Sequence, residues 1–177
     1  MAQKIIAIAS DHAGYDLKEM LAAEIKNLGY AVQDLGPAKA ESVDYPDYAN
    51  RLVAWMHSPS PLEGEDRGGG KPQVMTSPVA TPPPTPSLKG RGEERLGILI
   101  CGSGIGMSIA ANRHKGIRAA LCGGGLEANL ARRHNDANVL CLGARLIGLD
   151  VAKDALKVFL TTEFEGGRHS KRVEKLG

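Results

Sequence analysis

Five short apolar runs alternate with segments whose apolar residues recur every three or four positions, and this alternation constrains the fold more than any other feature. Lys4 to Ala9 reads as a strand, after which Leu17, Met20, Leu21, Ile25 and Leu28 recur at helical spacing. Tyr30 to Leu35 reads as a second strand closed by Gly36-Pro37, and Pro46 suits the first turn of a helix running through Leu52 and Trp55. Leu96 to Ile100 is a third strand, leading into a glycine-rich turn and a short helix near Met107 to Arg113. Ile117 to Leu121 and a helix before His134, then Asn138 to Leu142 and a helix from about Leu149 to Leu160, complete the pattern. Strands that alternate with helices imply a parallel sheet covered on both faces. The expected fold class is therefore α/β: a three-layer αβα sandwich around a five-stranded, parallel, doubly wound, Rossmann-like sheet. Ligands of such sheets bind at the carboxyl ends of the strands, where the strand order reverses.

The alternation stops at about 58–94. That stretch, from SPSPLEGEDRGGG to TPPPTPSLKGRGE, holds eight of the ten prolines and no aromatic residue. It has too little apolar surface to offset the entropy of ordering it, so it is expected to be disordered and partly extended in the polyproline manner. The expected organisation is one domain over 1–177, interrupted by this Pro/Gly-rich insertion. Lengthening a loop from about four residues to about forty costs roughly 2 kcal/mol of closure entropy, which a domain tolerates. The functional alternative is a docking site, since Pro82 to Pro86 suits an aromatic groove.

A net charge of +2 gives no reason to expect nucleic acid or an acidic membrane surface as partner. The longest apolar stretch, Leu96 to Ala111, is broken by four glycines, so no membrane span is expected. Cys101, Cys122 and Cys141 form no CxxC pair and have no metal-ligand spacing with histidine. Free thiols in a reducing cytoplasm, and no metal site, are the expectation.

Four groups of residues can carry chemistry. Asp11-His12 directly follows the first strand, where a carboxylate and an imidazole can orient a sugar hydroxyl and meet a phosphate; a helix cap with a surface histidine is the simpler reading of the pair. Cys101-Gly102-Ser103-Gly104-Ile105-Gly106 joins a strand to a helix. It places a thiol beside backbone N–H donors, and a cysteine at a helix start can act as a base; a buried cysteine before a tight turn is the alternative. The stretch matches neither nucleotide-binding glycine signature in full. His134 and Asn135 end a helix, where a histidine can shuttle a proton or simply suit the helix dipole. Arg168 and Arg172 stand four apart in the tail, so one helical face would present two guanidinium forks to a phosphate, with Arg145 able to join them. A solvated basic face accounts for the same run.

Together the strings SDHAGYDLKE, SVDYPDYA, GILICGSGIGMSIAANR, GIRAAL, HNDANVL, LGAR and EFEGGRHSKRV resemble the ribose-5-phosphate isomerase B and galactose-6-phosphate isomerase family, in family order and over nearly the whole chain outside 58–94. The intact HNDAN and GGRHSKR stretches favour the ribose-phosphate branch. The resemblance implies an aldose–ketose isomerase of the pentose phosphate pathway that interconverts ribose 5-phosphate and ribulose 5-phosphate through an enediolate. It implies Cys101 as the base and His134, with Asp11, as the residues that assist ring opening. The backbone of Gly102, Ser103, Gly104 and Gly106 would hold the enediolate oxygen. Tyr45, Ser103 and Asn135 would contact the sugar, and His12, Arg145, Arg168 and Arg172 the phosphate. No cofactor is implied, and the partner is another copy of the chain, in a homodimer or homotetramer whose sites take His134 and Asn135 from the neighbour. Relatives with a glutamate base carry it one helical turn beyond the cysteine, where this chain has Met107. The chain departs from the pattern at Gly123-Gly124-Gly125, where relatives carry polar residues and a tyrosine. The same chemistry on a hexose or tetrose phosphate, or a non-catalytic sugar-phosphate-binding module, are the competing readings.

Overall fold

The computed structural model describes residues 4–58 and 95–176. The expectation for 58–94 lies outside the described residues, apart from Ser58, which caps the preceding helix.

The strands are β1 (Ile5–Ser10), β2 (Ala31–Asp34), β3 (Leu96–Cys101), β4 (Ala119–Leu121) and β5 (Val139–Gly143). The helices are α1 (Tyr15–Asn27), α2 (Tyr45–His57), α3 (Ile105–Ala111), α4 (Gly125–Asn135), α5 (Leu149–Thr161) and the single turn α6 (Ser170–Val173). All four strand pairings are parallel, in the order β2-β1-β3-β5-β4. The expected three-layer αβα sandwich is the observed one.

Side chains alternate along each strand, so every strand feeds two cores. Ile6, Ile8, Ile98, Ile100, Leu140 and Leu142 pack under α1, α4 and α5 with Leu21, Ile25, Leu156 and Phe159. Ala7, Ala9, Leu99, Cys101 and Cys141 face the other way, against Leu52 and Val53 of α2 and Met107 and Ala111 of α3. The β4 strand is shorter than the apolar run from Ile117 predicts. The N–H of Ile117 turns back to the carbonyl of His114 at 3.2 Å, and that of Arg118 goes to Oδ1 of Asn138 at 2.8 Å, so neither is available to a ladder.

The chain passes from β2, on one side of β1, to β3 on the other. The strand order therefore reverses between β1 and β3, and the crevice at their carboxyl ends is where this topology places a ligand.

Candidate active site

Cys101 is the last residue of β3 and only 5% exposed, its side chain on the α2/α3 face. The chain then turns through Gly102, Ser103 and Gly104 into α3. Gly104 has φ +75°, and a Cβ there would stand 2.5 Å from Cδ1 of Leu121 and 2.9 Å from the carbonyl carbon of Leu142, so both conformation and space demand glycine. The N–H of Gly104 donates to Sγ of Cys101 at 3.1 Å, and that of Ile105 to Oγ of Ser103 at 3.4 Å. Beyond β5, the N–H groups of Ala144 and Arg145 donate to the carbonyls of Cys101 and Gly102 at 2.9 and 3.0 Å, locking the turn from the side.

The neighbouring elements bring the other candidates to the same edge. The N–H of Asp11 donates to the carbonyl of Ile100 at 3.1 Å, which fixes the end of β1 beside Cys101. One carboxylate oxygen of Asp11 accepts the N–H of Gly14 at 3.0 Å, so this residue does cap the turn His12–Gly14, as the simpler reading expected. Exposed His12 accepts the N–H of Val43 on Nδ1 at 3.4 Å, tying it to the loop before α2. Tyr45, at the start of α2, lays its ring against Gly106, where a Cβ would stand 2.7 Å from Cζ. Arg145 covers Gly102, its Cδ and Nε 3.5 Å from where a Cβ would be. Asp11, His12, Tyr45, Cys101, Gly102, Ser103, Gly104, Gly106 and Arg145 thus meet around one crevice.

His134, Asn135 and Arg168 lie elsewhere. Helix α4 runs back along the sheet, so His134 and Asn135 stand at the amino ends of β4 and β5. Cys101 is level with Gly143 at the far end of β5. Four strand steps from Val139 to Gly143 alone separate the two edges by about 13 Å. The tail joins the second group: the N–H of Glu165 donates to the carbonyl of Arg133 at 3.1 Å, and the rings of His134 and His169 stack with centroids 4.3 Å apart. Arg168 Nε donates to Nε2 of His169 at 3.3 Å. Instead of one long helix face, Arg168 sits on the tight turn Gly167–His169 and Arg172 on α6. A cleft of about 410 Å³ opens at this same edge, lined by Asn112, Arg118, Asn135 and Leu176 among others; Cys101 is not in its wall.

Sequence reasoning missed Glu165 and His169, although the string that contains them was in view. Only the arginines there have an obvious ligand, and the stack on His134 depends on tertiary packing. The ligand atoms of His134, Glu165 and His169 lie within 4.8 Å of one another. Arg133 already holds Oε2 of Glu165 at 2.7 Å and Arg168 donates to Nε2 of His169, so guanidinium groups compete with a metal at two of the three residues. Arg133 holds the Glu165 carboxyl below its usual range, chiefly through its hydrogen bond. Burial, then the neighbouring His134, pushes His169 down.

All three cysteines are free thiols. Burial, with Glu127 adding a little, pushes Cys122 up to about 12; burial, and secondarily the other two cysteines, pushes Cys141 higher still. Among the described residues, no helix is long and apolar enough to cross a membrane.

The fold and the sequence are shared with known proteins. The family described as Ribose/Galactose Isomerase matches residues 6–60 and 86–176. Ribose-5-phosphate isomerase B of Escherichia coli (strain K12) is 37% identical over 173 residues, covering 98% of this chain and 94% of that protein. The structure of ribose 5-phosphate isomerase B from Anaplasma phagocytophilum superposes with a TM-score of 0.76 at 43% identity, covering 100% of this chain and 99% of the other. That of the Thermotoga maritima ribose 5-phosphate isomerase superposes with a TM-score of 0.75 at 42% identity, covering 99% and 98%. With a cysteine at the switch point of a five-stranded parallel sheet and these relatives along its whole length, the chain belongs to the ribose/galactose isomerase family.

Proposed function

We propose that this chain is an aldose–ketose isomerase acting on ribose 5-phosphate and ribulose 5-phosphate, with Cys101 as the base that carries the proton between carbons 2 and 1. The observation that carries this reading is the placement of Cys101: a thiol at the topological switch point, with an N–H donor 3.1 Å from its sulfur. A donor aimed at sulfur stabilises the negative charge the thiol acquires when it gives up its proton. The named relatives share full-length similarity at 37–43% identity.

The reaction follows from the two groups of side chains. Opening the furanose breaks the C1–O4 bond, with its electron pair passing to O4. That oxygen takes a proton from the His134 imidazolium, while the O1 hydroxyl gives one up to Asp11, leaving a C1 aldehyde. Cys101 removes the proton on C2, and the electrons form an enediolate. The N–H groups of the Gly102–Gly106 turn that are not engaged within it are the donors this reading assigns to the developing oxyanion. Return of the proton to C1 yields the ketose. Tyr45, Ser103 and Asn135 contact the sugar; His12, Arg145, Arg168 and Arg172 hold the phosphate.

A site assembled between two copies of the chain reconciles these roles with the distance between the groups. The amino-edge cluster of one protomer would complete the Cys101 crevice of its partner in a homodimer, alone or as half of a homotetramer. Free buried thiols favour a reducing cytoplasm as the place of action.

Substrate choice tests the reading. The purified chain should convert ribose 5-phosphate with kcat/KM at least tenfold above that for allose 6-phosphate or erythrose 4-phosphate. A preference for the six-carbon or four-carbon sugar would transfer the assignment to that substrate. No turnover of any of them by folded, assembled protein would leave a sugar-phosphate-binding module.

A further inference from the structure

His134 is held on two sides by residues from a distant part of the chain. The His169 ring lies flat against it, with planes within 6°. Oε2 of Glu165 stands 3.9 Å from its Nε2. Both partners come from the segment after α5, and that segment is anchored to the end of α4 twice: Glu165 N–H to the Arg133 carbonyl at 3.1 Å, and Arg133 Nη2 to Oε2 of Glu165 at 2.7 Å. His169 is 6% exposed, whereas the His134 side chain keeps 34% of its surface open to a ligand.

The charges around the pair are arranged for one outcome. Arg133 lies on the same helix as His134; Glu165 comes from the connecting loop, and Arg168, His169 and Arg172 from the tail. Two parallel imidazoles this close repel if both are protonated. Burial, His134 and the two tail arginines oppose charging His169 and outweigh the opposite pull of Glu165, and its Nε2 accepts from Arg168, a role that requires a lone pair there. Glu165 stays ionised through Arg133 and is the one carboxylate near His134 Nε2 among the described residues' ion pairs. His169, the buried ring, is thus the member held neutral, and His134 is the one left exposed beside Glu165.

We infer that Glu165 and His169 are positioning residues for His134: the carboxylate is the counter-charge of its imidazolium, and the stacked neutral ring fixes its plane for proton delivery to the ring oxygen. This rests on the reading of His134 as the ring-opening group. It predicts a defect confined to ring opening, because the imidazolium takes no part in moving the proton between C2 and C1.

Ribulose 5-phosphate gives direct access to that distinction. Its 5-hydroxyl is esterified, so it cannot close a ring on C2 and reaches the enediolate without any ring-opening step. In deuterium oxide, the base exchanges the C1 proton of this acyclic ketose whether or not His134 works. Glu165→Gln should lower kcat for ribose 5-phosphate about tenfold, within the range of a general-acid contribution. It should leave KM within about twofold and C1 deuterium exchange in ribulose 5-phosphate nearly unchanged. Glu165→Asp should recover part of the rate, and His169→Phe, which keeps a flat ring, should retain more of it than His169→Ala. Equal loss of turnover and exchange in Glu165→Gln would show general damage to the site, and unchanged turnover would show no role; either overturns the inference. His134→Gln run alongside separates the two levels. If it keeps full forward turnover, the role of His134 itself is wrong; if it loses turnover while Glu165→Gln does not, only the positioning role is.

Discussion

The N–H of Gly104 reaches back 3.1 Å to the sulfur of Cys101, so the turn that shapes the crevice also holds its proposed base. The left-handed backbone at Gly104 makes that contact, and the contact fails if the backbone moves.

Gly104→Ala should therefore cost both stability and turnover. A left-handed alanine costs roughly 1–2 kcal/mol, and the added methyl would collide with Leu121 and the backbone of Leu142. A lowered midpoint in urea together with a loss of kcat is the expected result. Gly102→Ala is the control for stability, because its methyl would meet Arg145 only at ordinary contact distance, 3.5 Å. Its urea midpoint should stay close to the wild type.

Tyr45 and Gly106 give a milder test of sugar contact. The Gly106→Ala methyl would stand 2.7 Å from the Tyr45 ring, an exposed side chain able to swing away. KM for ribose 5-phosphate should rise several-fold with kcat less affected, and Tyr45→Phe should reproduce only the part due to the hydroxyl.

The buried thiols make a pH prediction. Cys122 is raised from 9.0 to about 12 and Cys141 is raised further, both chiefly by burial. Each thiol binds its proton more tightly in the folded state. Its stabilising contribution is complete below the unfolded value near 9 and is lost as pH rises from there through the folded value. The urea midpoint should fall between pH 9 and 11, and fall less steeply in Cys122→Ala. Peptide mapping after iodoacetamide at pH 8 should find Cys122 and Cys141 unmodified until denaturant is added.

Most of the fold was legible because strands buried on both faces leave continuous apolar runs, as at Lys4 to Ala9 and Leu96 to Ile100. The ends were less so: Ile117 and Arg118 spend their N–H groups on His114 and Asn138, partners that only the folded chain supplies. In the site, Asp11, Cys101 and Arg145 adjoin strand ends and could be placed from topology, whereas Tyr45 at the start of α2 entered only through the family resemblance. The separation of His134 from Cys101 follows from the direction of α4 and needs no coordinates, but the His134–His169 stack and the Glu165 contact do. Lys18 was unreadable for another reason. Its side chain is fully buried on the apolar face of α1, made tolerable by Asp34 at 2.5 Å and Glu19 at 2.6 Å.

A shared site makes a quantitative prediction about mixtures. Cys101→Ala and His134→Gln would each be nearly inactive alone. Equal amounts, unfolded and refolded together, should give half hybrid dimers, each with one intact site of two. About a quarter of wild-type activity should return by this counting of two-fold symmetric pairs. Absence of recovery in demonstrated hybrids would mean that both residues serve the same protomer's site.

The most direct measurement is the conversion of ribose 5-phosphate to ribulose 5-phosphate by the purified chain beside Cys101→Ala. Wild-type turnover that falls at least a thousandfold in the variant, with folding and assembly unchanged, is the expected result, since the variant lacks the proposed base for the C2 proton. Turnover that survives the substitution would contradict Cys101 as the base and move that role to another residue of the crevice.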